Sequence, residues 1–143
     1  MVASSGGLKV GDLVRRPPLV IHPDSTLLEA VDRLMEHNVG ALVVVRREEP
    51  DKAVAVLSER DIVRALNMRM ALSTPVEAFM SPGVISIEYD QPLSKAAELM
   101  WRYNVRHLVV TKEGKLYGVI SIRDLIKPES LQAICREGLF HSS

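Results

Sequence analysis

The sequence predicts an α+β fold built from two β-α-β-β-α repeats packed with pseudo-twofold symmetry, and three observations support it. The chain matches itself at a fixed offset, each copy alternates strand and helix periodicities in the same order, and one copy alone would leave an apolar sheet face uncovered. Asp24-Ser-Thr-Leu27 and Asp90-Gln-Pro-Leu93 stand 66 positions apart. At that offset Val10 meets Val76, Ile21 meets Ile87, Ala30 meets Ala96, and Asn38-Val39-Gly-Ala-Leu42-Val-Val44 meets Asn104-Val105-Arg-His-Leu108-Val-Val110. The offset then falls to 63, where Val56-Leu-Ser58-Glu-Arg60-Asp61 meets Val119-Ile-Ser121-Ile-Arg123-Asp124. Three extra residues therefore lie in the polar, Pro50-containing stretch Arg46 to Lys52, as an insertion in a hairpin would.

Each element follows in order. Val10 to Val14 reads as a short leading helix and Leu19 to Ile21 as a short strand. Thr26 to His37 carries Leu27, Ala30, Val31, Leu34 and Met35 on one helical stripe. Leu42 to Val45 and Ala53 to Leu57 are β-rich runs that should pair antiparallel, and a second helix begins after Ser58. In the other copy Pro75 to Met80 leads, with Pro at a permitted first-turn position. A strand at Ile85 to Ile87 follows, then a helix with Leu93, Ala96, Ala97, Met100 and Trp101 on its stripe. Leu108 to Thr111 and Leu116 to Ile120 are joined by the turn Lys112-Glu-Gly-Lys115, and a helix starts after Ser121. Pro128 breaks that helix, and Glu129 to Glu137, closed by Gly138, forms a C-terminal extension. The expected organisation is a flexible N-terminus over 1–9, a first repeat over 10–72, a second over 73–127 and an extension over 128–143.

Composition excludes several classes. The 143 residues are 47% hydrophobic and 25% charged, the balance of a folded soluble domain. Eighteen basic against eighteen acidic side chains give no net field to draw the chain onto nucleic acid or an acidic membrane, so any anion site must be local. With aromatics at 4%, no stacking platform for single strands is expected. Cys135 alone cannot form an intramolecular disulfide, and His22, His37, His107 and His141 lack helical metal-ligand spacing, so neither a metal nor a catalytic cofactor is expected. The lack of a membrane-length apolar run or an apolar leader in Met1 to Leu8 leads to an expectation of a cytoplasmic protein.

The main chemical signal is a strand end followed by Ser-x-x-Asp, as Ser58-Glu-Arg-Asp61 and Ser121-Ile-Arg-Asp124. One reading is a helix cap, with Ser and Asp exchanging bonds with the backbone. Another is an anion site at a helix N-terminus, with Ser as phosphate ligand and Asp accepting from ribose hydroxyls. Arg60 and Arg123 sit inside the two segments. Arg106 and His107 stand at the second copy's helix-to-strand junction, where they could add donors for phosphate, whereas Gly40 and Ala41 occupy the first copy's junction and offer close backbone approach without charge. The two sites should be unequal. The stripes holding Met35, Met68, Met100 and Trp101 read as core or subunit interface, and Arg15-Arg16 as a loop patch facing solvent or phosphate. Glycine-rich phosphate loops and nucleophile elbows are missing from the sequence, and no nucleophile-base pair is evident.

These residues resemble the CBS domain family, named for cystathionine β-synthase, in the form of a stand-alone tandem pair or Bateman-type module. The resemblance spans Val10 to Lys127 and rests on two ordered copies of Leu-x-x-Ala, a helix closing at Asn-Val, a Leu-Val-Val strand and the segment ending Gly118-Val-Ile-Ser121-Ile-Arg-Asp124-Leu. Ala55 stands where the family usually has glycine. The resemblance implies a regulatory module that binds adenosyl compounds in clefts between its copies. Carried over, one site would use Val119, Ile120, Ser121, Arg123, Asp124, Arg106 and His107 with Pro18, Leu19, Val20, Gly40 and Ala41. The other would use Val56, Ser58, Arg60 and Asp61 with Gly83, Val84 and Ile85, with Arg106 and His107 as an optional addition. It also implies a homodimer formed through helices, and a signal passed to a partner chain, since no output domain accompanies the pair.

The expected function is a non-enzymatic sensor of AMP, ADP or ATP. Alternatives are a small nucleotide-processing enzyme, which would need a base or metal site, and a protein binding S-adenosylmethionine, whose sulfonium the cationic cluster would repel.

Overall fold

A computed structural model describes residues 7–141, with side chains through residue 137. The chain forms two compact units, Pro18–Val84 and a second joining the stretch through Pro17 to Ile85 onward. Each holds a three-stranded sheet with the middle strand parallel to one neighbour and antiparallel to the other. The mixed α+β architecture of two repeats is thus as the periodicities predict.

In the first unit β1 (Val20–Ile21) pairs with β2 (Ala41–Arg46), which pairs with β3 (Glu49–Ser58). Helix α1 (Leu27–His37) begins at Thr26, whose Oγ1 accepts from the Glu29 amide at 3.1 Å while Glu29 Oε1 accepts from the Thr26 amide at 2.9 Å. The bond from the Thr26 amide, and after it one from the Thr26 hydroxyl to the same Oε1 at 3.1 Å, hold the Glu29 carboxyl below its ordinary range. The helix stops at Asn38, whose φ of 52° is the left-handed conformation that asparagine tolerates. Its Leu27, Ala30 and Leu34 face the core with Leu42 and Val44 of the sheet and with Ile62 and Ala65 of α2 (Glu59–Asn67). The three inserted residues make no long loop. The strands run through them to a turn at Arg47-Glu48, and the surplus is absorbed as register shifts between Val44 and Arg46.

The second unit repeats the pattern with β4 (Ser86–Glu88), α3 (Leu93–Tyr103), β5 (His107–Lys112) and β6 (Lys115–Ser121). It departs from it after Ser121. Helix α4 (Ile122–Leu125) has four residues where α2 has nine, because the residue before Pro128 is disfavoured in helical conformation and the proline itself brings no N–H. The chain restarts as α5 (Pro128–His141), which runs past Gly138, the expected stop. Buried Ser130 fastens α5 by donating to the Asp124 carbonyl at 2.7 Å. Helix α3 starts at Pro92, which supplies no capping side chain, and Glu137 of α5 accepts from the Ser94 amide at 3.2 Å instead.

The leading segments settle where burial is available. Val10, in the 3₁₀ turn Val10–Leu13, is fully buried in the second unit, its amide bonded to the Gln91 carbonyl and that of Gly11 to Tyr89. Val76, in the turn Val76–Ala78, is buried in the first unit, where its amide reaches the Ser25 carbonyl. Each leader therefore serves the copy that is not its successor in a simple reading of the repeat, and the compact units differ from the 10–72 and 73–127 divisions for this reason. Of the stretch 1–9, residues 1–6 lie outside the described residues, while Lys9 bridges to Pro92.

Candidate functional site

The strand ends bring the sequence-selected residues together inside each unit. In the first, Ala41 lies opposite Ser58, and the Gly40 carbonyl accepts from the Glu59 amide at 3.1 Å. In the second, His107 lies opposite Ser121, and the Arg106 carbonyl accepts from the Ile122 amide at 2.9 Å. Each junction thus caps the following helix through one backbone bond.

Both serines serve their aspartates. The Ser58 amide and hydroxyl donate to Asp61 Oδ2 at 2.8 and 3.1 Å, and those of Ser121 to Asp124 Oδ2 at 2.8 and 3.3 Å. Each aspartate thus returns the capping bond to its serine amide, and the hydroxyl protons are committed to carboxylate. The second carboxylate oxygens differ. Asp61 Oδ1 meets the Arg64 guanidinium at 3.0 Å and the Ser81 hydroxyl at 3.5 Å, and its side chain is 8% exposed. Asp124 Oδ1 has the Lys127 ammonium at 3.8 Å, and its side chain is 24% exposed.

The surrounding charge is unequal as well. Arg106 and Arg123 are exposed beside the partly buried His107 in the second unit. In the first, Gly40 faces the Glu59 carboxylate, which would lie 3.3 Å from a Cβ placed there. Sequence reasoning passed over Glu59, Arg64 and Lys127. The signal was available, since Glu59 aligns with Ile122 and Arg64 with Lys127 at the 63-residue offset.

The remaining selected residues divide between the units. Pro18, Leu19 and Val20 lead into β1, with the Leu19 carbonyl accepting from Val43, so they share a unit with Asp61. Gly83, at φ 91°, donates to the Val54 carbonyl, and it shares that unit with Val84, Val56 and Arg60. Ile85 belongs to the other, where its carbonyl accepts from Val109, and Val119 and Ile120 lie there on β6. At the opposite end of β2, an open dent is lined by Pro23, Asp24, Arg46, Arg47, Glu48 and Glu77 and contains none of the selected residues. Among the described residues no cluster of His, Cys, Asp and Glu could hold a metal, and no helix is long and apolar enough to cross a membrane.

A duplicated β-α-β-β-α module with a Ser-x-x-Asp strand end in each copy defines a tandem domain pair. The chain belongs to the CBS domain family, whose model matches residues 10–68 and 76–129. A CBS domain protein from Pyrobaculum aerophilum complexed with AMP is similar over 90% of this chain and 99% of its own, at 36% identity and a TM-score of 0.84. A CBS domain pair in complex with 5′-methylthioadenosine and S-adenosyl-L-methionine matches 82% of this chain and 91% of its own, at 26% identity and a TM-score of 0.73. An uncharacterized 17.7 kDa protein of Acidianus ambivalens is 37% identical over 120 residues, 83% of this chain and 71% of that protein. By contrast the chain spans 24% of a related inosine-5′-monophosphate dehydrogenase from Aquifex aeolicus.

Proposed function

We propose that this chain is a regulatory adenine-nucleotide sensor, acting in the cytoplasm, that binds AMP, ADP or ATP and conveys its occupancy to a partner protein without turning the nucleotide over. The observation that carries the reading is Asp124, a partly exposed carboxylate held at a strand end beside Arg106, His107 and Arg123. A carboxylate can accept from both hydroxyls of a ribose, and guanidinium groups suit phosphate oxygens. The AMP complex of the Pyrobaculum relative supports the same ligand class.

Thermal denaturation with AMP, ADP, ATP and S-adenosylmethionine tests it. Ligand at a hundred times its dissociation constant should add about 2.7 kcal/mol of stability, and the nucleotide should be recovered unchanged. Stabilisation by S-adenosylmethionine alone would favour the ligand class of the methylthioadenosine-bound relative, and no shift with any of the four would reject the sensor.

The same reading includes a homodimer. Met35 on α1 and Trp101 on α3 occupy matching positions and are 76% and 89% exposed, a large apolar surface to leave in water. Light scattering should give about twice the 15.9 kDa of one chain, and a monomeric mass at micromolar concentration would reject the dimer.

A further inference from the structure

We propose that Arg64 holds the Asp61 copy of the site closed, so that the chain takes up one adenine nucleotide, at Asp124. The inference rests on the adenosyl-binding reading above and adds which copy works and what silences the other.

The duplication supplies an internal control. Arg64 and Lys127 occupy the same position, three residues after Asp61 and Asp124. Arg64 Nη2 reaches Asp61 Oδ1 at 3.0 Å and also donates to the Phe79 carbonyl at 2.7 Å, so the guanidinium is fastened between the helix and the segment that follows the Val76 turn. The Ser81 hydroxyl, from that same segment, lies 3.5 Å from the same oxygen. With Oδ2 already accepting from Ser58, both oxygens of Asp61 are spent. Lys127 stands 3.8 Å from Asp124 Oδ1, beyond hydrogen-bond reach, and a lysine ammonium is a flexible, strongly hydrated point charge.

With Oδ2 accepting from a serine in both copies, a ribose diol has to be received on Oδ1. At Asp124 one oxygen is open to it. At Asp61 a neutral hydroxyl would have to displace a guanidinium, which brings an opposite charge to the carboxylate as well as a hydrogen bond. The Glu59 carboxylate facing Gly40 opposes phosphate in the same unit. Arg64 and Glu59 thus act on different parts of the ligand, which allows them to be separated by comparing adenosine with AMP.

Calorimetric titration of the full chain with AMP and adenosine reads the lock. The unaltered chain should take up one equivalent of AMP, and Asp124→Ala should take up none of either compound. Arg64→Lys in the Asp124→Ala background should restore one equivalent of adenosine, with AMP the weaker ligand because Glu59 remains. Arg64→Met provides the same readout should the lysine variant fail to fold, as judged by its melting transition. Two equivalents of similar affinity in the unaltered chain, or undiminished binding by Asp124→Ala, would overturn the lock. So would folded Arg64 variants that regain nothing. A chain that binds neither AMP, adenosine nor S-adenosylmethionine would sink the sensor reading itself, an outcome distinct from binding that Arg64 does not govern.

Discussion

Gly118→Ala is expected to lower stability by about 1–3 kcal/mol, the range for forcing an extra methyl into a packed core. A Cβ at Gly118 would stand 2.4 Å from Val14 Cγ1 and 2.9 Å from Val14 Cγ2, a clash that must be relieved by movement. Valine has a stiff, branched side chain, so the relief has to come from the backbone. The leader carrying Val14 has little room to retreat, because the Gly11 amide is bonded to the Tyr89 carbonyl at 2.7 Å and Gly11 is itself against Tyr89. Val14→Ala removes both clashing methyls and should recover part of the loss, giving a coupling energy of about 0.5–3 kcal/mol in a double-mutant cycle. Denaturant unfolding of the four proteins measures it. A Gly118→Ala chain as stable as the parent, or strictly additive losses, would show that the leader shifts freely.

The first copy shows how the same position tolerates a side chain. Ala55 aligns with Gly118 and is fully buried opposite Val44, as Gly118 lies opposite Val110. Where the second unit has Val14 the first has Met80, an unbranched side chain that adapts to the space left and packs on the cluster containing Ala55. The Ala-for-Gly departure was visible in the sequence, but its partner was not. Val14 and Gly118 are far apart along the chain, and no periodicity reveals which copy a leader will join.

Periodicity does reveal elements whose apolar pattern is set by local burial. The stripe through Leu27, Ala30 and Leu34 and its repeat through Leu93, Ala96 and Met100 both mark buried helical faces. Met35 and Trp101 extend those stripes in the sequence yet face solvent within their own units, since an amphipathic pattern gives the width of the apolar face without saying what covers its margin. The short α4 was legible only in part. Pro128 announced a break, but that the helix would end after one turn, with α5 redirected so that Glu137 caps α3, depends on a long-range contact. At the site, the serines and aspartates were legible as a repeated motif. Their inequality was legible at Arg106 and His107, whereas the bond from Arg64 to the Phe79 carbonyl required the path of the chain after α2.

Arg106→Ala should weaken AMP binding about ten- to a hundredfold, as expected for losing a hydrogen bond from a charged donor, while leaving adenosine binding nearly unchanged. The distinction follows from chemistry. Arg106 is exposed at the start of β5 and is a candidate donor to phosphate, whereas Asp124 is the candidate acceptor from ribose. Losing the charge should also flatten the dependence of AMP affinity on salt, because screening acts on the charge pair that has been removed. The Arg106 carbonyl, which caps Ile122, survives the substitution, so the melting temperature of the protein alone should scarcely move. Asp124→Ala should behave differently, abolishing the uptake of AMP and adenosine alike. It also strips the Ser121 amide of its acceptor at 2.8 Å and should cost about 1 kcal/mol of stability even without ligand. Affinity and melting must therefore be measured separately for each variant. If Arg106→Ala weakens adenosine as much as AMP, the arginine shapes the strand end without touching phosphate. If Asp61→Ala abolishes binding while both second-copy substitutions are silent, the working site belongs to the first copy.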